Sequence, residues 1–213
     1  MRSKKIHLLL VLLAVVTLMI GLWIMRILNG TLPYLDQWTR GPVEGIAVDS
    51  PFYTVFRWIT ELGSSHFTIP FVILMAIILY WKFRTLLPVL IFAGGTWGGH
   101  LINVYIKHVV GRERPSILVS ANAEGYSFPS GHAMISMVCY GLLAYFIVQL
   151  VKNPKTKRVI HTAFAVLILL IGTSRYVINV HYLTDVVAGF VFGYLWVLCM
   201  IFLYEFLRKK AQS

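Results

Sequence analysis

Residues 174–185 read Ser-Arg-Tyr-Val-Ile-Asn-Val-His-Tyr-Leu-Thr-Asp and lie between two long apolar runs. Arg175, His181 and Asp185 place a cation, a base and a carboxylate at a membrane edge. Ionisable groups are expensive there and mark functional sites. His181 and Asp185 are four apart, so a helix puts them on one face. The same geometry arises if the histidine sits just before the helix. A carboxylate on one ring nitrogen fixes the tautomer and leaves the other nitrogen free to attack. A lone His–Asp pair is more often a structural contact; its neighbours decide between the two.

Two further polar clusters supply those neighbours. Lys107-His-Val-Val-Gly-Arg-Glu-Arg-Pro115 ends one apolar run, and Phe128-Pro-Ser-Gly-His132 opens the next. Lys107, Arg114 and Arg175 form a set of cations suited to a multiply charged oxyanion, with the arginines offering paired donors that match phosphate. Singly, each reads as a cation snorkelling from a helix end. Ser130-Gly131 opens a helix, whose first amides bind anions, and glycine allows close approach. The plain alternative is an ordinary Ser helix cap. His132 is the candidate partner acid and base, able to protonate a leaving oxygen and then activate water. Metal-assisted hydrolysis needs several carboxylates or a His-rich set. Asp185, Glu113 and Glu124 are too few and too scattered, so no metal and no cofactor are expected.

The elements that position these clusters are membrane helices. The 213-residue chain is 58% hydrophobic and 13% charged, far from the balance of a soluble domain. Its length fits a single domain, 1–213. Net charge is +11, but the basic residues fall in short gaps between apolar runs rather than in one patch, which argues against nucleic acid. Cys139 and Cys199 lie within apolar runs and read as small core hydrophobes.

Six spans are expected, at about 6–25, 65–81, 86–110, 130–151, 159–174 and 182–206. The first lacks a clear small-residue cleavage site and is expected to remain as a membrane helix. Residues 29–65 interleave charges with Trp and Tyr, and Phe52, Phe56 and Ile59 fall on one helical face. They predict short interfacial helices at headgroup depth, with a polar connector as the alternative. Gly94, Gly95, Gly98 and Gly99 carry the small-residue spacing of close helix packing.

Charge sets the orientation. The N-terminus, the gaps at 82–84 and 152–158 and the C-terminus hold twelve of the nineteen Lys and Arg but only one of the eight acidic residues, Glu205. By the positive-inside rule these segments are cytoplasmic. The three polar clusters and 29–65 then share the extracytoplasmic face.

Lys107-x6-Arg114-Pro115, Pro129-Ser130-Gly131-His132 and Ser174-Arg175-x5-His181-x3-Asp185 resemble the three signature motifs of the type 2 phosphatidic acid phosphatase superfamily. The small single core is most similar to its bacterial phosphatidylglycerophosphatase B group. The resemblance implies an all-α, six-span lipid phosphatase in a bacterial plasma (inner) membrane, with both termini cytoplasmic. It implies a phosphohistidine at His181 oriented by Asp185, and His132 protonating the leaving group. Lys107, Arg114, Ser130, Gly131 and Arg175 would hold the phosphate, with Ser174 in a less defined role. Expected substrates are phosphatidylglycerol phosphate, phosphatidic acid or undecaprenyl diphosphate; membrane lipids are the other partners, and oligomeric state is left open. The 29–65 segment would cap the site and help a lipid enter sideways. Two rivals are a non-hydrolytic lipid-phosphate binder or flippase, and a vanadate-dependent haloperoxidase, whose known relatives are soluble.

Overall fold

The computed structural model describes residues 2–115, 123 and 125–211. Part of the expected polar loop at 111–129, including Glu124, lies outside the described residues. The described chain forms eight helices. They are α1 (Arg2–Leu28), α2 (Tyr34–Glu44), α3 (Pro51–Glu61), α4 (Ser65–Phe83), α5 (Leu87–Val110), α6 (Gly131–Gln149), α7 (Pro154–Val177) and α8 (Leu183–Lys210). α4 through α8 are each long and apolar enough to cross a membrane. In α1, residues Ala14–Leu28 form a shorter described apolar stretch.

Local chemistry sets several ends. Ser50 and Ser64 accept from Tyr53 and Phe67 amides and so start α3 and α4, with Pro51 at the first helical position. Asn153 caps α7 in the same way at Lys155. α7 therefore begins five residues before its expected start, because Pro154 after a good cap carries the helix through the basic residues. Inside α5 the turn Leu90–Gly94 is π-helical. α5 ends at Gly111, whose φ of +62° is a left-handed conformation that glycine adopts freely. The chain reverses there into Arg112–Arg114.

α6 is the central helix. In its most apolar stretch 61% of residues are buried in protein, against 11% for α4, so α6 is surrounded while α4 presents most of its surface outward. Phe92, Val138, Leu142, Phe146, Val197 and Tyr204 build the main core among α5, α6 and α8. Leu18, Ile73, Leu169 and Phe202 on the outer helices are exposed, as lipid-facing residues must be.

The 29–65 segment forms two short helices that pack against α8 (α2) and α7 (α3). Of the expected apolar face of α3, Phe56 and Ile59 pack inward and Phe52 does not. Tyr53 and Thr60 are buried and Phe56 is half-buried, while Phe52 points outward. Thr60 is on the inward side, where it accepts from Arg175, and Tyr53 and Phe56 pack there with Ile178 and Val180. Among the α5 glycines, Gly95, Gly98 and Gly99 back onto Leu142, Met200, Val138 and Trp196, but Gly94 faces open space. Cys139 is buried in the core, whereas Cys199 lies exposed on α8.

Candidate active site

The eight predicted site residues come from neighbouring ends of α5, α6, α7 and α8 and the loops joining them. His181 precedes α8, and its ring is almost fully buried. Its backbone amide donates to the Arg175 carbonyl at 3.2 Å, which ties it to the end of α7. Asp185 is in the first turn of α8 and accepts from the Tyr182 amide at 3.0 Å. The same carboxylate oxygen, Oδ2, faces His181 Nδ1 at 3.3 Å.

Arg114 Nη1 lies 2.9 Å from His181 Nε2 and can only donate. Nε2 is therefore the bare acceptor, and the ring proton sits on Nδ1 toward Asp185. Arg114 is held by the carbonyls of Val180 (2.9 Å) and Gly125 (3.0 Å). Lys107 reaches the carbonyls of Tyr126 and Ser127 across the same space. Arg175 is 1% exposed and donates to Thr60 at 3.1 Å.

His132, on the first turn of α6, lies within electrostatic reach of Arg175, His181, Arg114 and Lys107. A Cβ on Gly63 would come within 3.0 Å of its ring, so the α3–α4 junction packs directly on this histidine. Ser130 is fully buried at the α6 cap, and its amide donates to the Asp185 carbonyl at 2.9 Å. That bond locks α6 to α8 at the site. Gly131 abuts the Asn103 amide, which also donates to the Pro129 carbonyl. Ser174 donates to the Ile171 carbonyl within its own helix, a structural contact.

Burial pushes the His181 imidazole well below its ordinary value, and the cations Arg114, Lys107 and Arg175 push it the same way. The ring is thus neutral at neutral pH, as a nucleophile must be. Burial also pulls the Arg114 guanidinium down, and Asp185 opposes that shift.

Two residues absent from the sequence-based site are part of this geometry. Arg112 donates to Asp185 Oδ1 at 2.6 Å and to Asp36 Oδ2 at 2.7 Å. Asp36, on α2, is buried and also accepts from the amide of Thr184 (3.0 Å) and from its hydroxyl. Arg112 stands in the same run as Lys107 and Arg114, so its composition signal was present. Its pairing with Asp36 spans 76 residues and left no periodicity to read.

Fold and site define a multi-pass, all-α membrane protein with a buried histidine–carboxylate pair faced by four cations, Lys107, Arg112, Arg114 and Arg175. A family model described as the PAP2 superfamily matches residues 86–209. Phosphatidylglycerophosphatase B of Bacillus subtilis (strain 168) is 34% identical over 145 residues, covering 66% of this chain and 70% of that protein. The crystal structure of a transmembrane PAP2 type phosphatidylglycerolphosphate phosphatase from Bacillus subtilis superposes with a TM-score of 0.74 at 25% identity. It covers 88% of this chain and 95% of that one. The chain belongs to the PAP2 superfamily.

Proposed function

We propose that this membrane lipid phosphatase of the PAP2 superfamily hydrolyses phosphatidylglycerol phosphate by way of a phosphohistidine at His181. The observation that carries the reading is the pair of contacts on that ring. Nδ1 is turned to Asp185 at 3.3 Å while Nε2 is bare and met by a phosphate-type cation, Arg114, at 2.9 Å. The substrate phosphate takes the place of Nε2 as Arg114's acceptor, with Lys107, Arg175 and the Ser130–Gly131 turn neutralising its other oxygens. Nε2 attacks phosphorus, and the bond from phosphorus to the lipid oxygen breaks. The bound phosphate's negative charge favours the protonated form of His132, which gives that oxygen its proton. His132 then takes a proton from water, which attacks the phosphohistidine and releases inorganic phosphate and free His181. The protein cations supply the charge neutralisation, so no metal is required.

Residues 1–213 act as a single membrane-embedded domain, with α1 as a sixth span. Both termini are cytoplasmic and the site faces outward in a bacterial plasma membrane. The skewed Lys and Arg distribution supports this. Trp38 and Trp58, the most exposed large apolar side chains of the two short helices, support an interfacial position for α2 and α3. An apolar cavity of about 300 Å³ between α4 and α5 includes Ile135, one turn below His132, and suits an acyl chain.

The test is phosphate release by purified protein from phosphatidylglycerol phosphate, phosphatidic acid and undecaprenyl diphosphate, with His181→Ala alongside. Release should be fastest from the first and fall to background in the variant. Wild-type release by His181→Ala would overturn the nucleophile. Binding of all three lipids without release would favour the non-hydrolytic binder.

A further inference from the structure

Asp36 lies outside the residues matched by the family model, yet it is one of the most deeply buried carboxylates in the molecule. Arg112 links it to Asp185. One guanidinium nitrogen, Nη2, serves Asp36, while Nη1 serves Asp185 Oδ1 and Thr184 Oγ1. The guanidinium also lies 3.8 Å over the Tyr182 ring, so its plane is fixed. The Arg112 side chain is 5% exposed and both carboxylates are fully buried.

Arg112 and His181 therefore claim opposite oxygens of one carboxylate: Oδ1 for the arginine, Oδ2 for the imidazole. A guanidinium facing a single carboxylate tends to take both oxygens in a forked pair. Here Asp36 holds the second nitrogen, while the Tyr182 amide meets Oδ2 from the other side. We propose that Asp36 is a positioning residue for the nucleophile: by sharing Arg112 with Asp185, it keeps Asp185 Oδ2 on His181. Segment 29–65 thereby contributes to the chemical step and not only to covering the site. This rests on His181 being the nucleophile, as proposed above.

Asp36→Asn and Arg112→Met, alone and combined, test it against phosphate release and phosphoenzyme formation in a rapid quench. Outer contacts that orient metal-ligating histidines are worth about 10–100-fold in activity, and a similar size is expected for one that orients a nucleophilic histidine. Asp36→Asn should lower kcat by that factor through slower phosphoenzyme formation, with KM within about twofold of wild type. In the Arg112→Met background the same change should cost less than about threefold, because the guanidinium that links Asp36 to Asp185 is gone and only the Thr184 contacts of Asp36 remain. An unchanged kcat, a loss confined to KM, or a full loss persisting in the Arg112→Met background would each overturn the proposal and leave Asp36 an anchor for α2. If Asp36→Asn does not fold, Arg112→Lys is read instead. Its point charge does not serve two carboxylates as a fork does, so wild-type kcat there overturns the idea. His181→Ala in parallel separates the failures. A dead His181→Ala beside an unaffected Asp36→Asn sinks this inference alone, whereas an active His181→Ala sinks both.

Discussion

Gly189→Ala should damage catalysis more than stability. Gly189 sits one turn beyond Asp185, where α8 crosses the start of α6. A Cβ there would lie 2.7 Å from the Ser130 carbonyl oxygen, 3.0 Å from Ala133 Cβ and 3.2 Å from the Met134 amide nitrogen. Two of these are backbone atoms of the turn that carries His132, so no rotamer change relieves the clash. Ordinary contact begins near 3.4 Å, so the two helices must part by roughly 0.7 Å. Overpacking of this kind costs about 1–3 kcal/mol. Replacing a helical glycine by alanine returns about 1 kcal/mol, leaving a small net loss. The displacement falls directly on the Ser130–Asp185 bond and on the spacing of His132 from His181. A misplacement of about 1 Å costs on the order of 10²-fold, so kcat should fall by roughly 10–50-fold. The assay is phosphate release at saturating lipid, with thermal unfolding in the same detergent. Gly94→Ala is the control, because nothing lies within 4 Å of its added methyl. A kcat for Gly189→Ala within twofold of the control would refute the argument that the α6–α8 approach sets the site.

Three other outcomes are expected. Phosphate release should persist in excess chelator; complete loss with rescue by a divalent ion would show that the cations are insufficient. An NMR titration should find the His181 ring still neutral at pH 6.5, since burial and neighbouring cations lower its pKa in the fold. The sign follows for stability: the unfolded chain binds that proton first, so the contribution is present above about pH 6.5 and is lost as pH falls toward the folded value. Inorganic phosphate should raise the His181 pKa, because an anion beside the ring favours its charged form; a downward shift would place the anion elsewhere. Gly63→Ala should lower kcat too, since its methyl would press on the His132 ring at 3.0 Å and on Ile171 at 2.5 Å. Wild-type kcat there would mean that the α3–α4 junction does not set the position of His132.

Much of the fold was legible because lipid makes hydropathy decisive: a span must be apolar for about 20 residues, whatever its neighbours are. The expected edges of α4 and α5 lie within a few residues of the observed ones. Where the start of α7 shifted, a local cap outweighed the charged composition. The candidate site was legible because its cations and histidines stand at span ends, where polar residues are conspicuous. The inward face of α3 was legible only in part. Phe52 and Phe56 have equal hydrophobicity, and which of them turns in is set by contacts with distant parts of the chain, Ile178 and Val180 beside Phe56 and Arg175 at Thr60.

The sequence by itself determined five of the six expected spans, the three polar clusters and, through hydropathy and charge, a reading of which clusters share a face. Those are properties of short stretches of chain, and the solvent reads them one stretch at a time. Only the tertiary structure decided how His181 is held. Its neutral ring depends on burial, and its Nδ1 faces Asp185 Oδ2 while Arg112 occupies Oδ1. Asp36 enters from α2, 149 positions before Asp185, and has no sequence neighbour that would announce it. Such contacts depend on ångström-scale packing between helices, which residue type alone does not encode.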